Sequence, residues 1–194
     1  QSVMDSFFLP LLCPRQITFL AKAEYFNGTT PVGRLQKWFF TNVGQRPVNR
    51  TSASAGQDAL NTAVEVLNDG DLFGIYPEGT RSPDGRLYKG KTGVARIALA
   101  SGAQVIPVAM IGTRDVNPIG TWFPRPGKVR VKVGDPIYPI EFVNNRGLER
   151  DSYEAIRALT DHIMRQLQQL SGQEYVDVYA AEVKKALAEG GDSS

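Results

Sequence analysis

A short polar segment at residues 76–82 carries the side chains of this chain that are best suited to chemistry. It places Glu78, Gly79 and Arg81 within four residues, directly after the apolar run of residues 72–76. Such a run is typical of a central strand that is covered on both faces. Because α/β folds place their reactive groups in the loops that follow buried strands, this segment is the first candidate for a functional site.

Basic side chains cluster in and beyond this segment. Residues 78–96 contain five basic side chains and two acidic ones. They are Arg81, Arg86, Lys89, Lys91 and Arg96, against Glu78 and Asp84. A single lysine or arginine is usually only a solvated surface charge, but several together can meet a phosphate group with good geometry. The cluster therefore indicates an anion-binding loop.

Residues 85–92 also fit the pattern G-x-x-x-x-G-K-S/T of the phosphate-binding loop of nucleoside triphosphatases. In that loop the first glycine follows a strand almost directly, so that the backbone wraps the phosphates at a helix N-terminus. Here two prolines stand between Tyr76 and Gly85, and the bulky Leu87 and Tyr88 suit a tight cradle poorly. The context therefore argues against nucleotide hydrolysis.

The only histidine and the only cysteine are both predicted to be structural. His162 has Leu167, not an aspartate, five residues later, so we expect a packing or surface histidine rather than a catalytic base. Cys13 lies in an apolar stretch and is expected to be a small buried hydrophobe. One cysteine allows no intrachain disulfide, which indicates a reducing compartment.

The elements that would position these residues alternate along the chain. Runs rich in β-branched and aromatic residues predict strands at residues 17–21, 44–48, 72–76, 105–111 and 129–133. Helical spacing of apolar residues, ended by glycines, predicts helices at residues 54–68, 92–101, 151–170 and 174–188. The alternation predicts a single α/β domain over residues 1–189, with a mixed, largely buried central sheet flanked by helices. Residues 190–194 are expected to be a disordered tail.

Composition sets outer limits on function. The chain has 194 residues, of which 42% are hydrophobic and 22% charged, which suits one globular domain with a real core. Its formal net charge of +2 is far below that of a nucleic-acid binder, so no nucleic-acid partner is expected. No apolar run reaches the roughly 18–20 residues of a membrane-spanning helix. Membrane contact is therefore expected from the surface, or from a segment outside this sequence.

Four segments in order make the chain similar to the family of 1-acylglycerol-3-phosphate acyltransferases. Residues 76–82 match the family motif F/Y-P-E-G-T-R-S in full, and residues 106–112 match its apolar-Pro-apolar motif ending in glycine. Residues 44–50 match the motif Gly-x-x-x-apolar-x-Arg. Of the motif N-H-x-x-x-x-D only the end is present, with residues 1–4 as spacers before Asp5. The motif at residues 76–82 is the most specific of the four.

Further stretches at residues 19–26, 82–95 and 170–179 resemble the actinobacterial branch of this family. The resemblance implies the glycerolipid acyltransferase fold. It also implies transfer of an acyl chain to the sn-2 hydroxyl of 1-acylglycerol-3-phosphate (lysophosphatidic acid), giving phosphatidic acid in phospholipid biosynthesis. The donor would be acyl-CoA, as a co-substrate, or an acyl-carrier protein, and no cofactor or metal is expected.

The same resemblance assigns catalytic roles. A histidine is expected immediately before Gln1, in a missing N-terminal part, and Asp5 would orient its imidazole as the base that acts on the acceptor hydroxyl. Asp5 could equally cap a helix through residues 6–12. Glu78 would bind the acceptor, or else form an ion pair that shapes the loop. Gly79 would lend its N–H to the oxyanion, or else serve as a turn residue.

Five residues are candidates for binding the acceptor phosphate, four from the resemblance and one from the basic cluster. Lys22, Arg50, Thr80 and Arg81 are expected to bind the acceptor phosphate, and Lys91 is a further candidate. The same basic loop could instead hold the phosphates of coenzyme A.

Two aromatic segments are candidates for a membrane-binding face. Trp122 and Phe123 lie in the proline-flanked loop of residues 119–128, near Arg125 and Lys128. Residues 34–40 also combine cations with aromatics, but these side chains could be core. Aromatics beside cations are typical of monotopic binding, so we expect a peripheral or monotopic protein at the cytoplasmic face of the cell membrane.

Two alternatives to phosphatidic acid synthesis stay open. The same chemistry could act on glycerol-3-phosphate, another lysophospholipid or a glycosylated phosphoinositide. The chain could also be a catalytically silent lipid-binding module, because the base is not among the residues given.

Overall fold

The structure, a computed structural model, describes residues 13–22, 45–48, 55–113 and 127–191. The strands in these ranges are β1 (Ile17–Lys22), β2 (Gln45–Val48), β3 (Leu72–Gly74), β4 (Leu87–Tyr88), β5 (Val108–Ile111), β6 (Arg130–Val133) and β7 (Tyr175–Val176). The helices are α1 (Ala55–Asn68), α2 (Gly93–Ser101), α3 (Pro139–Asn144), α4 (Tyr153–Ser171) and α5 (Ala180–Gly191). The described residues form two compact units, one up to Ile75 and one from Tyr76 onward. The prediction of an α/β fold is confirmed.

The first unit contains a parallel sheet with the strand order β2-β1-β3. Phe19 of β1 is buried and lies opposite Gly74 of β3. A Cβ on Gly74 would be 2.3 Å from the Phe19 ring, so only glycine leaves room for this aromatic side chain. Helix α1 packs against β3 and buries Ala63 and Val66.

The strand at residues 72–76 differs from the prediction in two respects. In the sheet formed by the described residues, β1 is the central strand and β3 pairs with β1 alone. The strand also stops at Gly74, and Ile75 is exposed. The carbonyl of Tyr76 accepts the N–H of Gly79 at 3.0 Å, which takes it into the following turn.

The second unit has its core where α2, α3 and α4 meet. The buried side chains of this cluster are Val94, Ala95, Ala98, Leu99, Ile137, Phe142, Val143, Ala155, Ile156, Leu159 and Ile163. Because two of these helices carry local start and stop signals, their bounds agree closely with the prediction. Gly102 ends α2 with a φ of 71°, and the Oγ of Ser152 accepts the N–H of Ala155 at 3.1 Å to cap α4.

The predicted strand at residues 105–111 is divided at Pro107. Strand β5 pairs antiparallel with β6 from Val108 onward, whereas Val105 forms an isolated bridge with Ile137. Proline has no N–H to donate to a ladder, although the Pro107 carbonyl still accepts the N–H of Gly134 at 2.8 Å.

The helix predicted at residues 174–188 is wrong in its first part. Residues Tyr175 and Val176 form β7, which pairs in parallel with β4, and α5 begins only at Ala180. Strand β4 and helix α3 were not expected from the sequence. Helix α5 reaches Gly191, into the tail expected to be disordered. Among the residues that the structure describes, no helix combines the length and the apolar character needed to cross a bilayer.

Gly112 supplies a test of this fold, because it has a φ of 87° and a Cβ there would be 2.5 Å from the carbonyl oxygen of Lys128. Gly102 shares the left-handed conformation, with a φ of 71°, but has open space around it. We expect Gly102→Ala to cost about 1 kcal/mol of unfolding free energy, from backbone strain alone. Gly112→Ala should cost about 3 kcal/mol, because the carbonyl must also move. Urea denaturation of both variants measures the difference, and equal losses would contradict the close approach.

Candidate active site

The polar segment of residues 76–82 folds into a tight turn around Gly79. The N–H of Gly79 donates to the Tyr76 carbonyl at 3.0 Å, and Gly79 has a φ of 70°. The N–H of Lys91 donates to the Pro77 carbonyl at 2.8 Å, which brings the end of the loop back to its start. In this structure the N–H of Gly79 is donated within the turn, which fits the turn-residue role, and the oxyanion role stays a prediction.

The missing side chain of Gly79 makes room for the side chain of Lys91. A Cβ on Gly79 would be 3.0 Å from Cδ of Lys91 and 3.4 Å from its Nζ. The ammonium group therefore lies directly beside the backbone of the turn. The structure thus brings together two residues that the sequence nominated separately, the motif glycine and a basic residue 12 positions later.

Glu78 points into the protein from this turn. The residue is 2% exposed, and its Oε2 accepts the N–H of Tyr88 at 2.9 Å. Burial raises the pKa of Glu78, although the hydrogen bond from Tyr88 and the positive charge of Lys184 act in the opposite direction. The carboxylate therefore fixes the turn to strand β4.

The next residues, Thr80 and Arg81, face a lysine that the sequence did not single out. The Nζ of Lys184 in α5 donates to the Oγ1 of Thr80 at 2.8 Å. Desolvation lowers the pKa of Lys184, and the charge of the exposed Arg81 lowers it further, whereas Glu78 raises it. Thr80 and Lys184 are 104 residues apart, and no local pattern marks Lys184.

A hydrogen-bonded network centred on Asp84 shapes the far side of the loop. Its carboxylate accepts bonds from Nε of Arg86 at 2.7 Å, from Oη of Tyr88 at 2.8 Å and from Oγ of Ser82 at 3.2 Å. Partial desolvation raises the pKa of Asp84, but the hydrogen bonds from Arg86 and Tyr88 outweigh it and hold the pKa well below its usual range. Ser82 is buried and its Oγ also accepts the N–H of Gly85 at 2.9 Å.

The basic side chains of the loop therefore differ in their partners. Arg86 is paired with Asp84, and Lys89 with Asp177 at 3.0 Å. Within the part of the chain that the structure describes, neither Arg81 nor Lys91 forms an ion pair, and both are exposed. The cations next to the turn are thus available to an anionic ligand.

The structure also explains why residues 85–92 are not a phosphate-binding loop of the nucleoside triphosphatase type. Strand β4 runs through this octapeptide, and Tyr88 is fully buried. The N–H of Leu87 donates to the carbonyl of Glu174 at 2.9 Å, so this backbone is used for strand pairing. The prediction against nucleotide hydrolysis agrees with this geometry.

The remaining candidates lie elsewhere. Lys22 is the last residue of β1, in the first unit, in register with Val48. Asp5, Arg50, Trp122 and Phe123 lie outside the described residues. His162 lies on α4 with its ring centroid 4.9 Å from that of Phe142, as expected of a packing histidine. Desolvation and the neighbouring Arg165 and Arg146 lower the pKa of His162.

Several known proteins are similar to this chain in sequence, and one solved structure is similar in fold. A 1-acyl-sn-glycerol-3-phosphate acyltransferase of Bacillus subtilis is 27% identical over 162 residues, which are 82% of this chain and 71% of that protein. A chloroplastic 1-acyl-sn-glycerol-3-phosphate acyltransferase of Arabidopsis thaliana is 32% identical over 139 residues, or 71% of this chain. The chain spans 37% of the length of that protein and 39% of a chloroplastic relative from Brassica napus.

A solved structure gives a concordant result. The crystal structure of the 1-acyl-sn-glycerophosphate acyltransferase PlsC from Thermotoga maritima matches with a TM-score of 0.64 and 32% identity. The match covers 88% of this chain and 63% of that one. The family model described as Acyltransferase matches residues 1–111, which include the whole turn around Gly79 and the lysine that lies over it. With more than half of its length inside that match, the chain belongs to the acyltransferase family.

Proposed function

We propose that the protein transfers an acyl chain from acyl-CoA to the sn-2 hydroxyl of 1-acylglycerol-3-phosphate and so forms phosphatidic acid. The observation that carries this proposal is the turn at residues 76–82, where Lys91 lies over Gly79 and Arg81 is exposed next to it. An acceptor with a phosphate monoester needs such cations, because charge-assisted hydrogen bonds to its oxygens are its strongest contacts. The relatives named above, which are 1-acyl-sn-glycerol-3-phosphate acyltransferases, support the same acceptor.

Binding of the acceptor phosphate falls in this proposal to Arg81, Lys91 and Thr80, with Lys22 and Arg50 as further ligands. Arg81 can offer two parallel N–H donors, whereas Lys91 provides a compact charge beside the turn. The hydroxyl of Thr80 accepts a bond from Lys184 and keeps its own proton to donate.

Glu78 acts in this proposal by positioning the loop rather than by contacting the reacting atoms. Its carboxylate is buried and bonded to the main chain of Tyr88, so it holds the turn in the form that presents Arg81 and Lys91. The alternative role predicted from the resemblance, contact with the acceptor glycerol, would require the acceptor to reach a residue that is 2% exposed.

The proposed chemistry is general-base acyl transfer. A histidine expected just before Gln1, oriented by Asp5, takes the proton of the acceptor hydroxyl as its oxygen attacks the thioester carbonyl. The tetrahedral intermediate then collapses, the carbon–sulfur bond breaks, and the proton passes to the thiolate of the released donor. An acyl-carrier protein offers the same thioester, and no metal or prosthetic group takes part in this scheme.

Membrane contact is proposed through Trp122 and Phe123, because the acyl tail of the acceptor resides in a bilayer. Tryptophan and phenylalanine insert at the headgroup level while nearby cations meet anionic lipids. We propose in addition that the protein acts as a peripheral or monotopic enzyme at the cytoplasmic face of the cell membrane.

The catalytic proposal is tested with Asp5→Asn in the full-length protein. We expect kcat with lysophosphatidate and acyl-CoA to fall about 10³-fold, because asparagine cannot stabilise the imidazolium form of the base. Asp135→Asn, at an exposed position in the second unit, is the matched control and should keep wild-type activity. Near wild-type activity of Asp5→Asn would refute the role of Asp5. A wild-type protein that binds lysophosphatidate but makes no phosphatidate would favour the silent lipid-binding module.

The burial of Glu78 predicts a pH-dependent effect of Glu78→Gln on stability. Because burial raises the pKa of the folded carboxyl, the folded wild type loses stability from this group as pH rises through that pKa. Glutamine does not titrate, so the melting temperature of the variant relative to wild type should rise as pH increases from about 4.5 through the raised pKa of the folded Glu78 carboxyl. Thermal melts across this range measure it, with Glu65→Gln on the exposed face of α1 as the control. A relative melting temperature that stays flat would contradict the burial.

The membrane proposal is tested with the double variant Trp122→Ser and Phe123→Ser. We expect co-sedimentation with anionic liposomes to weaken about 10-fold or more, because two aromatic side chains no longer enter the interface. Tyr153→Ser removes an aromatic that is 67% exposed on α4 and should leave binding unchanged. Unchanged binding of the double variant would exclude this loop as the contact.

A further inference from the structure

The C-terminal segment of the chain lies along the loop that carries the site. Strand β7 pairs with β4, with the N–H of Lys89 donating to the carbonyl of Val176 at 3.1 Å. The ion pair between Lys89 and Asp177, at 3.0 Å, joins the same two segments. Helix α5 therefore starts from a position that is fixed relative to the loop.

Lys184 of this helix reaches the turn, whereas its neighbour does not. The Nζ of Lys184 lies 2.8 Å from the Oγ1 of Thr80. The side chain of Lys185 is 77% exposed and pairs with Glu189, one helical turn away. The two consecutive lysines are thus a natural comparison, one beside the site and one in solvent.

Three cations lie at three consecutive residues of the turn, 79–81. Lys91 lies over Gly79, Lys184 bonds to Thr80, and Arg81 follows in the chain. Arg81 is close enough to lower the pKa of Lys184, so the two charges repel each other. Cations that repel each other in the protein without ligand attract an anion that binds between them, so the binding of an anion makes their proximity favourable.

Lys184 has two partners at the turn, the hydroxyl of Thr80 and the charge of Glu78, and together they leave it able to bind a further group. A threonine hydroxyl can take a solvent partner, and an ammonium group has three protons, of which the bond to Oγ1 uses one. Helix α5 also lies beyond residues 1–111, the part of the chain that the family model matches. This cation is therefore supplied by a part of the chain outside the family motifs.

We propose that Lys184 completes, together with Arg81 and Lys91, a binding site for a phosphate ester of a substrate. This inference rests on the proposed function and adds a ligand from the C-terminal helix to it. The phosphate is that of the lysophosphatidate acceptor or that of coenzyme A, and both have the same dianionic chemistry. Lys184 is a binding residue here and takes no part in the transfer of the proton.

The test compares Lys184→Met, Lys184→Arg and Lys185→Met in the full-length protein. Steady-state kinetics are measured with lysophosphatidate varied at fixed acyl-CoA and with acyl-CoA varied at fixed lysophosphatidate. We expect Lys184→Met to raise one of the two KM values about 10-fold or more, since a charge-assisted bond to phosphate is lost, while kcat changes little. Lys184→Arg should bring that KM most of the way back to the wild-type value. Lys185→Met should have the same KM values as the wild type.

The outcomes separate the sources of the phosphate. A raised KM for lysophosphatidate alone assigns Lys184 to the acceptor, and a raised KM for acyl-CoA alone assigns it to coenzyme A. Unchanged KM values would overturn the proposal. So would a fall of kcat that accompanies a lower melting temperature without any change in KM, because that pattern belongs to a purely structural lysine.

A binding measurement keeps this inference distinct from the proposed function. If the wild type makes no phosphatidate, calorimetric titration with lysophosphatidate and with coenzyme A is compared between wild type and Lys184→Met, with monoacylglycerol as the phosphate-free control. A loss of about 10-fold or more in affinity for either phosphate compound supports the site even though the enzyme proposal has failed. Equal affinities of the two proteins, or no binding by the wild type, overturn it.

Discussion

A single buried carboxylate determines the form of the most distinctive segment of this protein. Glu78 is almost completely withdrawn from solvent, and its Oε2 accepts the N–H of Tyr88. Burying a carboxylate is unfavourable unless polar groups compensate it, so the turn needs Tyr88 at the right place. Strand β4 supplies that N–H, and β4 is itself held by β7. The residues suited to chemistry therefore depend on a strand pairing that involves none of them.

The basic residues of the loop also differ in whether they form ion pairs. Arg86 and Lys89 neutralise Asp84 and Asp177 and so hold the loop together. Lys91 remains beside Gly79, where the absence of a side chain gives it room. A cluster that appears uniform in the sequence thus contains two kinds of cation, and only the three-dimensional pairing distinguishes them. The net basic character of a segment is a poor guide to which of its charges a ligand can reach.

The predictions from sequence succeed where the determining signals are local. Helices α2 and α4 agree closely with their predicted ranges because Gly102 and Ser152 act within one turn of each helix end. The turn at residues 76–82 could be predicted as a functional site because the residues of its motif are contiguous in the sequence. Strands β4 and β7 have two residues each, which is too few to produce a periodic pattern. In addition, the helical spacing of residues after 174 predicted a helix where the structure has β7. Lys184 was missed for another reason, because its partner Thr80 is 104 residues away and no local pattern marks it.

The pairing of β4 with β7 has a consequence for the order in which the chain matures. The side chain of Gln173 donates to the carbonyl of Gly85 across 88 residues, so the neighbourhood of β4 is completed by residues made much later. Contacts between such distant residues form slowly because the intervening chain must first be closed into a loop. During synthesis, residues 76–91 leave the ribosome well before the strand that fixes them. Within the second unit, the motif at residues 76–82 is thus among the first parts to be translated and among the last to take its final form.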